Sequence, residues 1–381
     1  MAEVTARDLI PLGLITALLV GCSTPTAQSG GAAAASVAPA KPAAAVQAQA
    51  AMPAPPTAST GAPASAPLAA PQALTKVVQA LPVDSFGFLP LYVAREEGFF
   101  REEGLELESP VMGSNTALAG LVSGTVDFAS AGSGVRAAMQ GAPVKAIMYY
   151  YNTTLFELVV APEVQSIEDL RGKALGASSR GSTEEVTAGV LLRQTGLDPA
   201  QDVTFVVVPA NSQLQSLLAG SIQGMMINPD LSAVAVQNGL RVLKTVQEVG
   251  RAMPAPFSGF VAAQESMQKN PEMVTAWLRA NVKGIRFVRE NPQAAATIIA
   301  RVLVVDPKIA ADALPKIVQA IDANDLGGFT EEGFRLEMAS SLNALGGQAQ
   351  VTRLEDLADL SLLRQAQREV GVPCRTGYQC R

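Results

Sequence analysis

The sequence has no histidine, three cysteines and one tryptophan among its 381 residues. Histidine is the most frequent general acid–base group and a common metal ligand, so its absence lowers the expectation of an enzyme or a metal centre. The GxSxG, P-loop and HExxH signatures are also missing. We therefore expect no catalytic residues, no cofactor and no metal, although carboxylates alone can still catalyse proton transfer.

Charged residues are also scarce, at 16% of the chain, and the net charge is −6. This balance, with no basic cluster, argues against a nucleic-acid partner. Residues 23–73 contain one charged residue, Lys41, and are mostly Ala, Pro, Ser, Gly, Thr and Gln. Such a stretch has too little apolar surface to offset the entropy of ordering it. We predict a disordered Ala/Pro-rich tether at residues 23–73.

The segment before the tether resembles a lipoprotein signal peptide, residues 1–22. Leu9–Val20 is uncharged and mostly apolar but too short to span a bilayer. It runs into Leu-Val-Gly-Cys, which resembles the lipobox of bacterial lipoproteins and implies lipidation of Cys22. The residues before this apolar run carry two negative charges, Glu3 and Asp8, and one positive charge, Arg7, whereas a signal peptide begins with a positive region. Three interpretations therefore stay open: a true signal, a misplaced start and a buried apolar segment.

Two further cysteines, Cys374 and Cys380, lie in a Gly/Pro-containing tail at residues 372–381. An exported protein meets oxidising conditions, which favour a small-loop disulfide between them. Their pairing stays open. Without histidine, two cysteines form a weak metal site.

From Thr75 onward, short apolar runs alternate with helical patterns. Lys76–Val83, Leu105–Glu108, Val144–Tyr151 and Leu155–Ala161 are typical of strands. A second series of strands and helices begins near Ser166, and 255–263 predicts a strand that returns to the first lobe. Long helical patterns follow. The pattern predicts an α/β fold with two lobes, the first of them discontinuous.

Five segments in fixed order resemble the substrate-binding proteins of ABC importers for sulfonates, nitrate and thiamine precursors. They are FGFLPLYVAREEGFFREEGLELE, LVSGTVDFASAGSG, SIEDLRGKALGASSRGSTEEV, LLRQTGLDPAQDVTFVVVP and LQSLLAGSIQGMMINPD. The resemblance covers residues 75–345. It implies the type II periplasmic binding fold, in which each lobe is a mostly parallel sheet flanked by helices.

In this fold two crossover hinges join the lobes, here expected near Ala161–Val164 and Pro254–Ser258. The predicted domains are lobe I (74–161 and 255–371, the second part helical) and lobe II (162–254). The resemblance further implies a monomer that is exported, lipid-anchored at the periplasmic or cell-surface face, and partnered by a membrane permease. Its ligand would be a small organic molecule, anionic or polar heterocyclic.

Ligands of open α/β sheets bind beyond the carboxyl ends of strands, at helix N-termini. Glycines there permit close backbone approach, and free N–H groups with hydroxyls can bind polar ligands. The predicted ligand-binding residues follow five strands: Ser85, Phe86 and Phe88; Gly132, Ser133 and Gly134; Tyr151 and Asn152; Ser179, Arg180, Ser182 and Thr183; Asn228 and Asp230.

Several of these residues have a second interpretation. Ser182 and Glu185 have capping-box spacing, so Ser182 could serve its own helix. Arg180 could pair with an anionic ligand or be solvated, and Asn228 could be a helix N-cap. Which of the tyrosines at 149–151 faces the cleft also stays open, since alternation sends Tyr150 to the opposite face from its neighbours.

Two other functional classes remain as alternatives. A sensory or structural lipoprotein could use the same fold without a permease. A pyrimidine synthase of thiamine biosynthesis also shares the fold, but that family depends on histidine and a cysteine-rich stretch, which this chain lacks. The acidic helix with Glu96, Glu97, Glu102 and Glu103 could face a permease loop or simply solvent.

Overall fold

The computed structural model describes residues 73–380 except Ser179, Ala210 and Asn211. The predicted signal segment, Cys22 and the tether up to residue 72 lie outside the described residues. The described part of the chain contains no helix long and apolar enough to cross a membrane.

Ten strands form in the part of the chain that the structure describes: β1 (Thr75–Val78), β2 (Leu105–Glu108), β3 (Phe128–Ser130), β4 (Val144–Tyr151), β5 (Glu157–Val160), β6 (Ala174–Ala177), β7 (Thr204–Val207), β8 (Gly224–Ile227), β9 (Arg241–Lys244) and β10 (Phe257–Ala263). Short 3₁₀ turns occupy Phe86–Phe88 and Glu168–Leu170.

The α-helices within the same described ranges are α1 (Leu89–Glu96), α2 (Phe99–Glu102), α3 (Ser114–Ser123), α4 (Ala131–Met139), α5 (Thr183–Gln194), α6 (Gln213–Leu218), α7 (Pro229–Gln237), α8 (Val246–Ala252), α9 (Gln264–Lys269), α10 (Pro271–Glu290), α11 (Pro292–Val302), α12 (Pro307–Gln319), α13 (Glu331–Ala344), α14 (Leu354–Leu357) and α15 (Ser361–Glu369).

The strands form two sheets of the same topology. In the second sheet the order is β7-β6-β8-β5-β9, and β5 runs antiparallel to both of its neighbours. In the first, β2 pairs with β1, and β10 lies antiparallel between β3 and β4. Backbone hydrogen bonds of 2.8 Å from Ala80 to Phe128 and from Asp127 to Val78 join β1 to β3. The predicted α/β fold with sheets flanked by helices is confirmed, and the sheets are mixed, because β5 and β10 are antiparallel to their neighbours.

The chain passes twice between the sheets. Residues 152–156 connect β4 of the first sheet to β5 of the second, and residues 253–256 lead from α8 to β10 of the first sheet. The sequence placed the first passage near Ala161–Val164 and gave Leu155–Ala161 to lobe I, which is wrong. β5 pairs with β8 and β9, because its buried apolar side chains complete the core of the second sheet.

The core of the first lobe centres on α10. The apolar face of α10 is buried, and Trp277 stacks on Phe128 at 3.9 Å between ring centroids. The Trp277 indole also donates a 2.9 Å hydrogen bond to Gln79. A Cβ at Gly284 would overlap the Pro90 carbonyl oxygen, so glycine is needed for α10 to approach α1. This packing fixes the loop between β1 and α1, which leads to the cleft.

Local sequence sets the ends of several elements. Residues 131–134 form the first turn of α4. Strand β9 stops at Lys244, because Thr245 and Glu248 form a capping box that starts α8. Helix α15 lies within the part of lobe I that was predicted to be helical and packs against α10.

The C-terminal tail is held by a buried ion pair. Arg364 of α15 pairs with Asp325, and the two side chains are only 5% and 1% exposed. The Arg364 guanidinium also donates to the Tyr378 carbonyl oxygen, and Gln367 donates to Asp325 at 2.9 Å. Cys374 and Cys380 form a disulfide beside this network. Burial nevertheless raises the pKa of Asp325 above its ordinary value.

Replacing Arg364 with Met should therefore destabilise the protein strongly. The substitution leaves the Asp325 carboxylate buried without its cation, which typically costs about 3–5 kcal/mol in free energy of unfolding. Urea denaturation measures this loss. The control is Arg335→Met, which removes an exposed pair with Glu331 and should cost less than about 1 kcal/mol. Equal, small losses in both variants would contradict this view of the tail.

Candidate functional site

A cavity of about 180 Å³ lies between the two sheets. The first lobe lines it with residues from the β1–α1 loop, the start of α4, β4, β10 and α13. The second lobe contributes Phe156, Thr183, Glu184 and Asn228, and Pro256 belongs to the second crossover. The cavity is smaller than the ~300–1,000 Å³ typical of sites for drug-sized ligands. It therefore suits a small ligand that touches both lobes.

Three helices begin at this cavity, each directly after a strand. β3 leads into α4, where Ser130 is the N-cap and Gly132 lies in the first turn. β6 leads towards α5 and its N-cap Ser182, and β8 leads into α7 and its N-cap Asn228. The carboxyl ends of strands and the first helical turns carry free backbone N–H groups. These are the positions where an α/β sheet offers polar groups to a ligand.

Aromatic rings form the apolar walls of the cavity. Phe156 and Phe257 lie edge to face, with centroids 5.0 Å apart, at the two crossovers. Phe88 and Tyr149 contribute from the first lobe. A Cβ at Gly259, the cross-strand partner of Tyr149, would overlap the tyrosine ring. Glycine at 259 is what lets this ring lie against β10.

Two serine hydroxyls converge on the backbone of Gly87. A Cβ built there would lie 2.8 Å from Ser258 Oγ and 3.3 Å from Ser85 Oγ. Ser258 has a φ of 53°, in the left-handed region that costs a non-glycine residue energy. Strain of this kind persists only where surrounding structure imposes it, and both serines line the cavity.

The most deeply buried charged group at the cavity is Glu337 of α13. Its side chain lines the cavity although the residue is only 5% exposed. Burial raises the pKa of this carboxyl to about 7, against a smaller lowering by the Arg136 guanidinium on α4. The phenol of Tyr149 lies near enough for the Glu337 charge to add to the burial that raises its pKa. Ionising Glu337 is therefore costly in the absence of a counter-charge.

Three polar atoms in this region have no hydrogen-bond partner among the described residues. They are the hydroxyl of Tyr149 and the Oδ1 atoms of Asn228 and Asp230. Tyr149 and Asn228 line the cavity. Burial raises the pKa of Asp230 to about 6, despite backbone N–H groups at the start of α7 that lower it. Buried polar groups without partners are costly in a protein interior, and a ligand could satisfy them.

Five of the residues predicted from the sequence are brought together in the cavity lining. They are Ser85, Phe88, Gly132, Thr183 and Asn228. They come from four separate strand–helix junctions, as the argument from strand ends required. Their contact with a ligand stays a prediction.

The other predicted residues have other places in the structure. Phe86 is fully buried, and Tyr151, also buried, donates its hydroxyl to the Phe86 carbonyl oxygen at 3.4 Å. Ser133 donates to the Ser130 carbonyl oxygen, and Gly134 packs against Val261. The Asn152 N–H donates to the Ala320 carbonyl oxygen.

In the second lobe, the alternative interpretations match what is observed. Ser182 accepts from the Glu185 N–H as the N-cap of α5. Arg180 pairs with Glu185 at 2.9 Å and its side chain is 67% exposed. Asp230 lies in the first turn of α7 outside the cavity lining. Ser179 lies outside the described residues.

Sequence reasoning missed four polar side chains of the lining: Ser130, Glu184, Ser258 and Glu337. Glu337 lies in the middle of a helix far along the chain, where no local motif marks it. Glu184 could have been found from the sequence, since it directly follows the predicted residue Thr183.

Comparison with known proteins places this chain in a family. The model of the family described as NMT1/THI5 like matches residues 85–295. The chain belongs to the NMT1/THI5-like family. The matched span contains most of the cavity lining and both passages between the sheets.

Individual relatives of this NMT1/THI5-like chain are distant. The putative binding protein YtlA of Bacillus subtilis is 24% identical over 230 residues, covering 58% of this chain and 68% of YtlA. The riboflavin-binding protein RibY of Chloroflexus aurantiacus is 26% identical over 259 residues, covering 61% and 69%.

Among solved structures, a putative periplasmic sulfonate-binding protein SsuA from Methylobacillus flagellatus superposes with a TM-score of 0.63 at 17% identity. The match covers 79% of this chain and 96% of SsuA. At this identity the likeness establishes the two-lobed fold of periplasmic binding proteins.

The burial of Glu337 predicts a characteristic pH dependence of stability. The pKa of the Glu337 carboxyl is about 7 in the folded protein but has its ordinary value in the unfolded chain. The folded protein is therefore least stable once this carboxyl is ionised. Its contribution is complete below about pH 4.5 and falls by up to about 3 kcal/mol as pH rises through 7. The Glu337→Gln variant should therefore unfold at higher urea concentration than wild type at pH 8 and at a similar one at pH 4.5.

The matched control is Glu332→Gln, an exposed position on the same helix, which should follow wild type at both pH values. Because Asp230 is unchanged in every variant, its own titration cancels in the comparison. A Glu337→Gln protein no more stable than wild type at pH 8 would show that the Glu337 carboxyl is not destabilised by burial.

Proposed function

We propose that this chain is the substrate-binding component of an ABC importer and captures a small polar organic ligand in the cleft between its lobes. The observation that carries the proposal is the cavity itself, which both lobes line at the N-termini of α4, α5 and α7. A ligand held by both sides favours the closed arrangement of the lobes, because it loses contacts when they separate.

Family membership supports this role. YtlA and RibY are named as binding proteins, and SsuA as a sulfonate-binding protein of an ABC transporter. Among the described residues, the cavity has no histidine or cysteine in its lining. We therefore favour a binding protein over an enzyme, including the thiamine pyrimidine synthase alternative. The second candidate is a sensory or structural lipoprotein that has the same fold but works without a permease.

The lobes have a mechanical connection suited to closure. We propose lobe boundaries at residues 152–156 and 253–256, where the chain changes sheets. Helix α12 packs on α11 of the first lobe and on α7 of the second. Its Lys316 pairs with the buried Glu157, with Nζ–O distances of 2.9 and 3.0 Å, at the start of β5. This ion pair lies beside the first crossover.

Among the described residues, three of the four acidic residues named above, Glu96, Glu102 and Glu103 but not Glu97, form ion pairs with cations of the same lobe. Glu103 pairs with Arg279 at 2.6 Å and with Lys283 at 2.7 Å, and Glu102 pairs with Lys283 at 3.0 Å. Glu96 pairs with Arg301 at 3.1 Å. These contacts favour a structural role for the acidic groups over a docking surface for the permease.

A cavity-filling variant tests ligand capture. Gly132 lines the cavity, and a Cβ at this position would meet open space, so Gly132→Leu should occupy the cavity without disturbing the lobe. Thermal-shift screening of wild type against a library of small polar metabolites identifies a ligand, since 100-fold excess over Kd stabilises by about 2.7 kcal/mol. Calorimetry should then show at least tenfold weaker binding to Gly132→Leu.

The control is Gly113→Leu, another glycine with open space around its Cβ but outside the cavity lining, which should bind like wild type. If no library member binds wild type, or if Gly132→Leu binds it unchanged, the cavity is not the ligand site.

We also propose that Cys22 carries a lipid that anchors the exported protein to the membrane at the periplasmic or cell-surface face. The sequence pattern before Cys22 supports this proposal, and the tether after it would let the two lobes reach a permease. We expect a monomer on the anchor. Adjacent permease and ATPase genes would favour transport over the sensory alternative.

The anchor predicts a change in fractionation. Cys22→Ala should move the protein from the membrane pellet to the soluble exported fraction, because one residue carries the lipid. Cys380→Ser, at the other end of the chain, should stay in the pellet. Retention of Cys22→Ala in the membrane fraction would contradict lipidation at this position.

A further inference from the structure

The charges around the cleft are of one sign. Two carboxylates line the cavity, Glu337 from the first lobe and Glu184 from the second. No Lys or Arg is among the described residues that line it. Two nearby cations lie outside the lining: Arg180 pairs with Glu185, and the charge of Arg136 on α4 acts on Glu337.

The helix N-termini do not reverse this balance. Two of the three helices that begin at the cavity carry acidic residues in their first turns, Glu184 and Glu185 in α5 and Asp230 in α7. A carboxylate at this position neutralises the partial positive charge of the helix end. An anionic ligand would therefore meet carboxylates at both walls and one unneutralised helix end, that of α4.

The unpartnered groups call for hydrogen-bond donors. The amide oxygen of Asn228 can only accept hydrogen bonds, and so can the Glu337 carboxylate when it is ionised. The Tyr149 hydroxyl can donate or accept a hydrogen bond. Tyr149 is 2% exposed, its hydroxyl has no partner among the described residues, and it lines the cavity. A quaternary ammonium group, which has no N–H, would leave the acceptors unsatisfied.

We propose that the ligand of this cleft is a small cation with N–H donors on a flat apolar group, such as an arylmethylamine or an arylamidine. The aromatic walls hold the flat part, and the Glu337 carboxylate accepts from the charged nitrogen, with Asn228 Oδ1 taking a second N–H. This inference rests on the proposed binding function and replaces the anionic class that the sequence suggested. It also distinguishes this cleft from the sulfonate site named for SsuA.

Matched one-ring probes test the class of ligand by calorimetry at pH 8. Benzylamine carries charge and N–H groups, benzyltrimethylammonium carries charge alone, benzyl alcohol is neutral and benzenesulfonate is anionic. Benzylamine should bind wild type at least tenfold more tightly than benzenesulfonate and more tightly than benzyltrimethylammonium. Glu337→Gln should weaken benzylamine at least tenfold and leave benzyl alcohol within threefold.

Each other outcome overturns the inference. Tighter binding of benzenesulfonate, or unchanged benzylamine affinity in Glu337→Gln, would show that the carboxylate does not select the ligand, while ligand capture in the cleft would stand. If none of the four probes binds wild type at a concentration tenfold above the Kd of the ligand found in the library screen, the one-ring amine class is wrong. Glu332→Gln, with its exposed carboxylate, should match wild type for all four probes.

Discussion

Each sheet of this protein is completed by a strand that arrives from the other lobe. β5 and β10 are the antiparallel strands of their sheets, and each follows directly on a passage of the chain between lobes. The second sheet gains β5 through the first passage, and the first sheet gains β10 only after the chain has made both passages. This constraint holds the carboxyl ends of the parallel strands opposite one another, and the cavity lies between them.

Under the proposed function, the same constraint would let the cavity respond to a ligand. Two short connections join the lobes, and α12 adds the Lys316–Glu157 pair beside the first. The interior of the first lobe is closely packed, as the stacking of Trp277 on Phe128 shows, and a closely packed interior resists deformation. The buried Glu337 and the unpartnered Tyr149 hydroxyl are then costs of the unliganded cleft that binding can remove.

Much of the fold follows from local sequence patterns. The alternation at Leu105–Glu108 and the apolar run Val144–Tyr151 predicted strands with the observed bounds. The apolar run around β5 predicted a strand too, but an apolar run carries no information about which sheet receives it. Helix α15 lies in the part of lobe I that was predicted to be helical, but its sequence is mostly polar and gives little indication that it packs on α10.

The site was less predictable than the fold, for a related reason. Loops after strands indicated Ser85, Gly132, Thr183 and Asn228, since strand ends are local features. The charge of the cavity depends on Glu337, which reaches it from a C-terminal helix, and on Arg180 turning to Glu185. Such long-range convergence is set by packing between elements, so local sequence patterns could not indicate the charge of the cavity lining.

The central claim is that a ligand in this cavity draws the lobes together. Spin labels at Val122 of α3 and Val236 of α7, both exposed positions on opposite lobes, report the distance between them by pulsed electron paramagnetic resonance. In a Cys22→Ser background, saturation with a ligand should convert a broad distance distribution into a narrower and shifted one, and Gly132→Leu should not respond. An unchanged distribution in the wild-type cleft at saturation would contradict the account.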